Sequence, residues 1–379
     1  MKYKASDITF TTVTVLGIAA LIAAAYGGCI SPGNGAFVIP SLVILLPVIT
    51  AIALIWLCVL LITHRWRNAI AIAAVLLTAT PTLWLVCPVN LTKPDTDGKQ
   101  TITLLTYNVA VLYPHFKHDP SPAMRKILDV NADIVMMQEV PHHIVTGHYE
   151  TSQTLETYLD EMNAKYPYRS QNDDDIVIMS KYPFTMKTIA KPIIGTDPNG
   201  EFYKIWHHYV LAFDVKIGGE DITFVNAHLQ SYGLTNSIRR ILKSDSLEVP
   251  APIPPEIPVG KSSRLQMLSE AFALRGAQAR EVRSWLDHAP ANLILCGDFN
   301  DTAGSYAYRT LRGNDMNDAF SETGLGPVNT FGKYFMYFKI DHVLYRGCMR
   351  AVSSYVDKSV NVSDHYPLVT KFVITNKTK

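Results

Sequence analysis

From Ile8 to Thr63 the chain runs 56 residues without an Asp, Glu, Lys, Arg or His, and from Asn68 to Thr92 another 25. A bilayer core about 30 Å thick takes about 20 apolar residues in helix, so the first run has room for two spans and the second for one. The pattern predicts three transmembrane helices, about 10–28, 36–62 and 69–89. The first is closed by Gly27-Gly28-Cys29 and by the breaker run Ser31-Pro32-Gly33-Asn34-Gly35. Pro40, Pro47 and Pro81 fall inside the spans, where neighbouring helices can satisfy the freed backbone groups. Lys2 and Lys4 resemble the basic end of a signal peptide, but two more spans follow and Tyr26-Gly27-Gly28 makes a weak cleavage site. Residues 1–92 therefore read as a membrane anchor.

Basic residues flank the spans unevenly. Lys2 and Lys4 precede the first, the loop after it is uncharged, and the next loop is His64-Arg65-Trp66-Arg67. Cationic ends stay in the cytoplasm, which places everything after Lys93 on the other side of the membrane.

After a linker at 93–100, short apolar runs alternate with helical ones up to residue 379. Thr101–Val109, Ile134–Glu139, Ile176–Ser180, Tyr209–Ile217 and Ile222–His228 read as strands, with further strands near 292–296, 340–345 and 368–374. Helices are predicted over Met124–Val130, Thr154–Lys165 and about Leu265–His288, the last with Leu268, Phe272, Ala279, Val282 and Leu286 at helical spacing. Many strands with few helices between them predict an α/β fold of two packed sheets, helices outside. An insertion, about 232–263, carries Arg239-Arg240 and a proline run from Pro250 to Pro258. It follows a polar strand end, so it is read as a lid bordering a cleft.

Charge narrows the partners. Residues 1–94 hold five of the 34 Lys/Arg and one of the 33 Asp/Glu, which leaves 29 cations against 32 anions, about −3, in the exported part. No basic domain is present to hold a nucleic-acid backbone non-specifically. Cys29, Cys58 and Cys87 belong to the anchor, and Cys296 lies in an apolar strand pattern as a buried thiol, so no disulfide framework is expected.

Polar residues recur where the apolar runs end, and their order is specific. Thr106-Tyr107-Asn108-Val109, Gln138-Glu139, Asn226-Ala227-His228-Leu229, Gly297-Asp298-Phe299-Asn300, Ile340-Asp341-His342-Val343 and Ser363-Asp364-His365-Tyr366-Pro367 follow one another as in the endonuclease/exonuclease/phosphatase superfamily. Ser180-Lys181-Tyr182-Pro183 is similar to that family's turn between the second and third motifs. The resemblance spans about Thr101 to Thr375. It implies a deoxyribonuclease I-like four-layer α/β sandwich and metal-dependent hydrolysis of a phosphate ester.

Placing hydroxide on a phosphorus shielded by anionic oxygens calls for a hard cation in an oxygen-rich site. The resemblance makes Glu139, with Asn108 and Asp364, the ligands of Mg²⁺, with Mn²⁺ as a substitute. His365 and Asp341 fit a base and its orienting carboxylate. The resemblance further implies that Asp298 positions or deprotonates the water, that Asn300 holds the water or a phosphoryl oxygen, and that His228 donates to a phosphoryl oxygen or to the leaving group. Whether Asp298 or His365 accepts the proton stays open at this level. His342, His142 and His143 are read as neighbours.

The His-Leu pair at His228-Leu229 resembles the sphingomyelinase, inositol-phosphatase and deoxyribonuclease-like branches more than the abasic-site endonucleases. That disfavours a DNA-repair role, and because the catalytic part is mildly acidic and already held at a bilayer, lipid head groups and small phosphodiesters rank above nucleic acid. Asn-x-Ser/Thr patterns at Asn300 and Asn361 would put a glycan in the cleft in a eukaryotic secretory pathway, which favours a bacterial inner membrane with a periplasmic catalytic part. The rival readings are an exported nuclease and a catalytically inactive binding module on the same fold.

Overall fold

In the computed structural model, residues 5–33, 36–92, 94, 96, 98–109, 121–140, 153–170, 176–188, 194–196, 202–204, 210–231, 264–333 and 336–375 are described. The insertion at 232–263, and with it the expected lid, lies outside them, as do His142 and His143. Four helices come first: α1 (Ala5–Tyr26), α2 (Val38–Ile44), α3 (Leu46–Ile62) and α4 (Trp66–Val86). Two of them, or three if the bent pair α2–α3 counts as one span, are long and apolar enough to cross a membrane.

The expected second span is that bent pair, turned by 73° at Leu45. Pro47, in the first turn of α3, lacks the N–H that would continue the ladder, and its ring clashes with the preceding turn. Leu21, Ala24, Leu46, Leu60, Ile72 and Ala79 form the buried seam between the helices, while Leu16, Ile55, Ile62, Ile70 and Leu77 face outward. At one end of the bundle Arg65 pairs with Asp7 at 2.7 Å.

The rest of the chain holds β1 (Thr101–Asn108), α5 (Ser121–Val130), β2 (Ile134–Gln138), α6 (Gln153–Lys165), β3 (Tyr168–Arg169), β4 (Val177–Ser180) and β5 (Phe184–Thr188). After a short hairpin of β6 (Ile194–Thr196) and β7 (Phe202–Lys204) come β8 (Val210–Ile217), β9 (Glu220–His228), α7 (Arg264–Leu286), β10 (Leu293–Asp298) and α8 (Tyr306–Arg312). The chain closes with β11 (Asn317–Asp318), α9 (Ala319–Thr323), a second hairpin of β12 (Phe331–Lys333) and β13 (Met336–Phe338), then β14 (Asp341–Arg346), β15 (Met349–Val356) and β16 (Leu368–Ile374).

Two six-stranded sheets result, ordered β15-β16-β1-β2-β4-β3 and β11-β14-β10-β9-β8-β5. Each is antiparallel except for one central pair, β1 with β2 and β9 with β10. A parallel pair needs a crossover, and α5 and α7 lie in these connections. Side-chain alternation sorts the faces. Ile102, Leu104, Ile134 and Met136 of one sheet meet Phe224, Ile294, Cys296 and Val343 of the other in a shared core. Leu105, Tyr107 and Val135 turn outward onto Met124 and Ile127 of α5, and Val225, Leu293 and Leu295 onto Val282 and Leu286 of α7. The protein is thus mixed α/β with two packed sheets and helices outside, as the pattern predicted.

Candidate active site

Both parallel pairs run the same way along their own sheet, so their C-terminal ends lie side by side. Asn108 closes β1 opposite Gln138. His228 closes β9 opposite Asp298, which stands opposite Asp341 at the start of β14. Alternation carries the inward rows 102-104-106-108, 222-224-226-228 and 294-296-298 from apolar to polar at the same edge of the sandwich. Just inside that edge Gln138 donates to the Asn226 side chain (2.6 Å), and Asn226 donates to the Met137 carbonyl (3.1 Å), tying the sheets together.

Two residues beyond these strands take left-handed backbone, Glu139 (φ 56°) and Asn300 (φ 52°). Such a conformation is uncommon outside glycine and persists where the surroundings fix it. At Glu139 it brings Oε1 to 3.0 Å from Asn108 Nδ2, which also donates to Asp298 Oδ2 at 3.1 Å. At Asn300 the backbone N–H donates to Asp298 Oδ1 (2.7 Å) and Nδ2 to the Leu229 carbonyl (2.9 Å). His228 Nε2 faces the same two carboxylates, 3.7 Å from Glu139 Oε1 and 3.9 Å from Asp298 Oδ2.

The final motif joins from the side of β16. Ser363 donates to the Asn108 carbonyl and accepts the His365 N–H. The His365 ring stands edge-on to Phe331, with Nδ1 2.9 Å from Asp341 Oδ2 and Nε2 3.5 Å from Asp298 Oδ2. Thr330, fully buried, accepts the backbone N–H groups of Ile340 and Asp341 on one hydroxyl and so fixes the start of β14. The structure therefore brings Asn108, Glu139, His228, Asp298, Asn300, Asp341 and His365 together. Asp364 is half-buried beside them, and its charge acts on Tyr107 and His365.

Burial pushes the Asp298 carboxyl up to about 6, with Asp341 adding to the rise and both histidines opposing it. For His365 burial alone would lower the pKa, yet the charges of Asp341 and Asp298 and the Asp341 hydrogen bond outweigh it and raise the ring to about 10. Asp341 Oδ1 is buried and meets no hydrogen-bond donor among the described residues. Among the described residues, the cleft is short of positive charge.

Hard oxygen donors and uncompensated anionic charge fit a divalent cation. Asp298, Asp341 and His365 offer ligand atoms within 4.8 Å of one another. There, however, His365 and Asp341 already hold each other, whereas Glu139 Oε1 and Asp298 Oδ2 converge on a neutral amide. Oxygen donors for an ion are thus present on both sides of Asp298.

A second buried network underlies the site and was not legible in the motifs. Arg275 of α7 donates to Asp301 (3.1 Å) and to the Gln230 carbonyl (2.6 Å), so it ties the loop after His228 to the loop after Asn300. His342 Nε2 donates to the Asp301 carbonyl (2.9 Å), and Lys339 donates to Nδ1 (3.0 Å); burial and the Lys339 charge drive its pKa well down and keep the ring neutral. His342 is thus fully buried in this network. Arg275→Met should destabilise the detergent-solubilised chain by about 3–5 kcal/mol, because it leaves the buried Asp301 carboxylate facing an apolar side chain. An unchanged denaturant midpoint would remove this tie from the account.

A cavity of about 760 Å³ lies elsewhere, lined by Arg283, Arg309, Arg312 and Arg346. Arg283 and Arg346 are committed to Asp315 and to carbonyls that close α7 and α8, so it is not the seat of the chemistry.

Carboxylates, amides and histidines thus gather at one edge of two packed sheets, where the central parallel strands end. Residues 105–365 match the Endonuclease/Exonuclease/phosphatase family, and the chain belongs to it. Its members are phosphoester hydrolases, mostly metal-dependent. Among solved structures it is similar to truncated Caenorhabditis elegans TDP2, at 15% identity and a TM-score of 0.45 over 72% of this chain and 98% of that one. It is also similar to sphingomyelinase C from Streptomyces griseocarneus, at 17% identity and a TM-score of 0.42 over 72% and 99%. ANGEL2, a 2',3'-cyclic phosphatase, aligns at 14% identity and a TM-score of 0.44 over 75% and 99%. No curated protein matches the sequence.

Proposed function

We propose that the chain is a membrane-anchored, Mg²⁺-dependent phosphoesterase, with residues 1–92 as a three-span anchor, 93–100 as linker and 101–379 as a deoxyribonuclease I-like four-layer catalytic domain. The observation that carries it is the meeting of Glu139, His228, Asp298 and the Asp341–His365 pair at adjacent ends of the two parallel strand pairs. Glu139, with Asn108 and Asp364, would hold the ion, Mn²⁺ serving as a substitute; when bound, it supplies charge neutralisation for the phosphoryl oxygens.

The protein's own groups do the rest. Asp341 fixes the His365 ring through Nδ1, leaving Nε2 directed into the cleft at Asp298. Asp298 is held by the Asn300 N–H and the Asn108 amide with both histidine rings facing it, which favours it as the acceptor of the water proton. Asn300 positions that water or a phosphoryl oxygen, and His228, half-exposed at the cleft, donates to the leaving oxygen. The mild negative charge of the catalytic part favours lipid head groups or small phosphodiesters over nucleic acid. The test is a panel of bis(4-nitrophenyl) phosphate, sphingomyelin, inositol phosphates and plasmid DNA, offered with Mg²⁺ or Mn²⁺ to the purified full chain. Turnover of at least one supports the reading, and turnover of none favours a binding module.

Bacterial inner-membrane localisation with the catalytic part in the periplasm completes the proposal. A reporter fused after Lys379 should be active only if it works in the periplasm, and one fused at Arg67 only if it works in the cytoplasm. Cytoplasmic activity at Lys379 would reverse the orientation.

A further inference from the structure

The anchor and the catalytic part are joined by more than the linker. Trp66 and Trp84, both exposed, open and nearly close α4, 18 residues and therefore about 27 Å apart along it. That spacing matches a hydrocarbon core about 30 Å thick with an aromatic side chain at each interface. At the outer interface Trp84 Nε1 donates to the Ser321 carbonyl of α9, so the catalytic part is bonded directly at that level. Val89, just beyond α4, pairs with Leu325, and both remain exposed apolar residues at this junction.

The same level is gripped a second time, on the loop that follows Asn300. Gly28 packs so closely on the loop after β10 that a Cβ there would lie 1.8 Å from the Gly304 carbonyl oxygen. Arg309 of α8 donates to the Ala25 carbonyl (3.0 Å), to Thr82 (2.8 Å) and to the Gly304 carbonyl (2.8 Å), clamping the ends of α1 and α4 to that loop. Gly304 is four residues from Asn300, a span of at most about 14 Å. The headgroup layer itself is about 5–7 Å deep on each side of the core.

We infer that this joint holds the cleft at headgroup depth, so that the enzyme acts on phosphate esters carried by lipid chains in its own bilayer. The inference rests on the membrane-anchored phosphoesterase reading and adds the substrate class and its mode of access. Water adds at phosphorus, the P–O bond to one ester group breaks, and the released oxygen takes a proton. A tethered site meeting a substrate in the same membrane works at millimolar effective concentration. A soluble ester gains nothing from the tether.

The full chain is reconstituted in dioleoylphosphatidylcholine vesicles with Mg²⁺. The probes are the 4-nitrophenyl ester of dioleoyl phosphatidic acid and soluble bis(4-nitrophenyl) phosphate, read as aromatic product released to water from either ester bond. The lipid probe should be cleaved at least about tenfold faster in the enzyme's own vesicles than in enzyme-free vesicles mixed with them. Gly28→Leu and Arg309→Ala, two independent ways to open the joint, should each lower lipid turnover by about tenfold or more and leave bis(4-nitrophenyl) phosphate turnover within about twofold. Equal rates in the two vesicle arrangements, or cleavage of the soluble ester without the lipid, would overturn the inference and leave the phosphoesterase reading standing. Equal loss on both probes in both variants would overturn it too. Cleavage of neither probe by the wild type would overturn both.

Discussion

His365→Ala and Asp341→Asn should each lower kcat by about a hundred- to ten-thousandfold, the range that a positioned proton-handling group contributes. The double variant should cost little more than the worse single, because residues acting as one unit are grossly non-additive. The reason is geometric. His365 Nδ1 lies 2.9 Å from Asp341 Oδ2, and the ring is buried, so either change removes the same oriented imidazole from Asp298. Asn at position 341 keeps the shape and removes the charge that holds the proton on the ring. His365→Ala also leaves Asp341 buried without its partner, so that variant alone should lose thermal stability. A double-variant cycle in which the two losses multiply would dissolve the dyad into independent contributions.

Glu139→Gln should lower turnover by about a hundredfold or more and shift the Mg²⁺ dependence to higher concentration, with partial recovery at high metal. Gln can still accept from the Asn108 amide and can take the same left-handed backbone, so the exchange removes charge and little else. Near-normal activity at low Mg²⁺ would take Glu139 out of the metal site. His228 and Asp298 keep their positions in either case, because the sheet register sets them.

Much of this was legible in the sequence for a physical reason. Strands buried on both sides read as short apolar runs, so β1, β2, β9 and β10 and their polar ends could be placed, and seven of the eight expected site residues meet at one sheet edge. Other features left no such trace. β15 is an edge strand of mixed character, Met-Arg-Ala-Val-Ser-Ser-Tyr-Val, with an irregular register between Ala351 and Ser353. The bend at Leu45 looks, as a sequence, like an uninterrupted apolar span. Arg275 lies among ordinary helical residues, and Thr330 in a loop; their importance comes from partners 26 and 10 or 11 positions away. The joint at Gly28 and Gly304 depends on packing between segments 276 residues apart. No local pattern encodes such a contact.

The central claim is metal-dependent hydrolysis at the Glu139–Asp298–His365 cleft, and reversible chelation tests it most directly. Bis(4-nitrophenyl) phosphate hydrolysis by the purified full chain should fall to background with EDTA and return when Mg²⁺ or Mn²⁺ is added in excess. The same protocol on Glu139→Gln should give a much weaker return. Hydrolysis that persists through chelation, or none with either metal, would contradict the account.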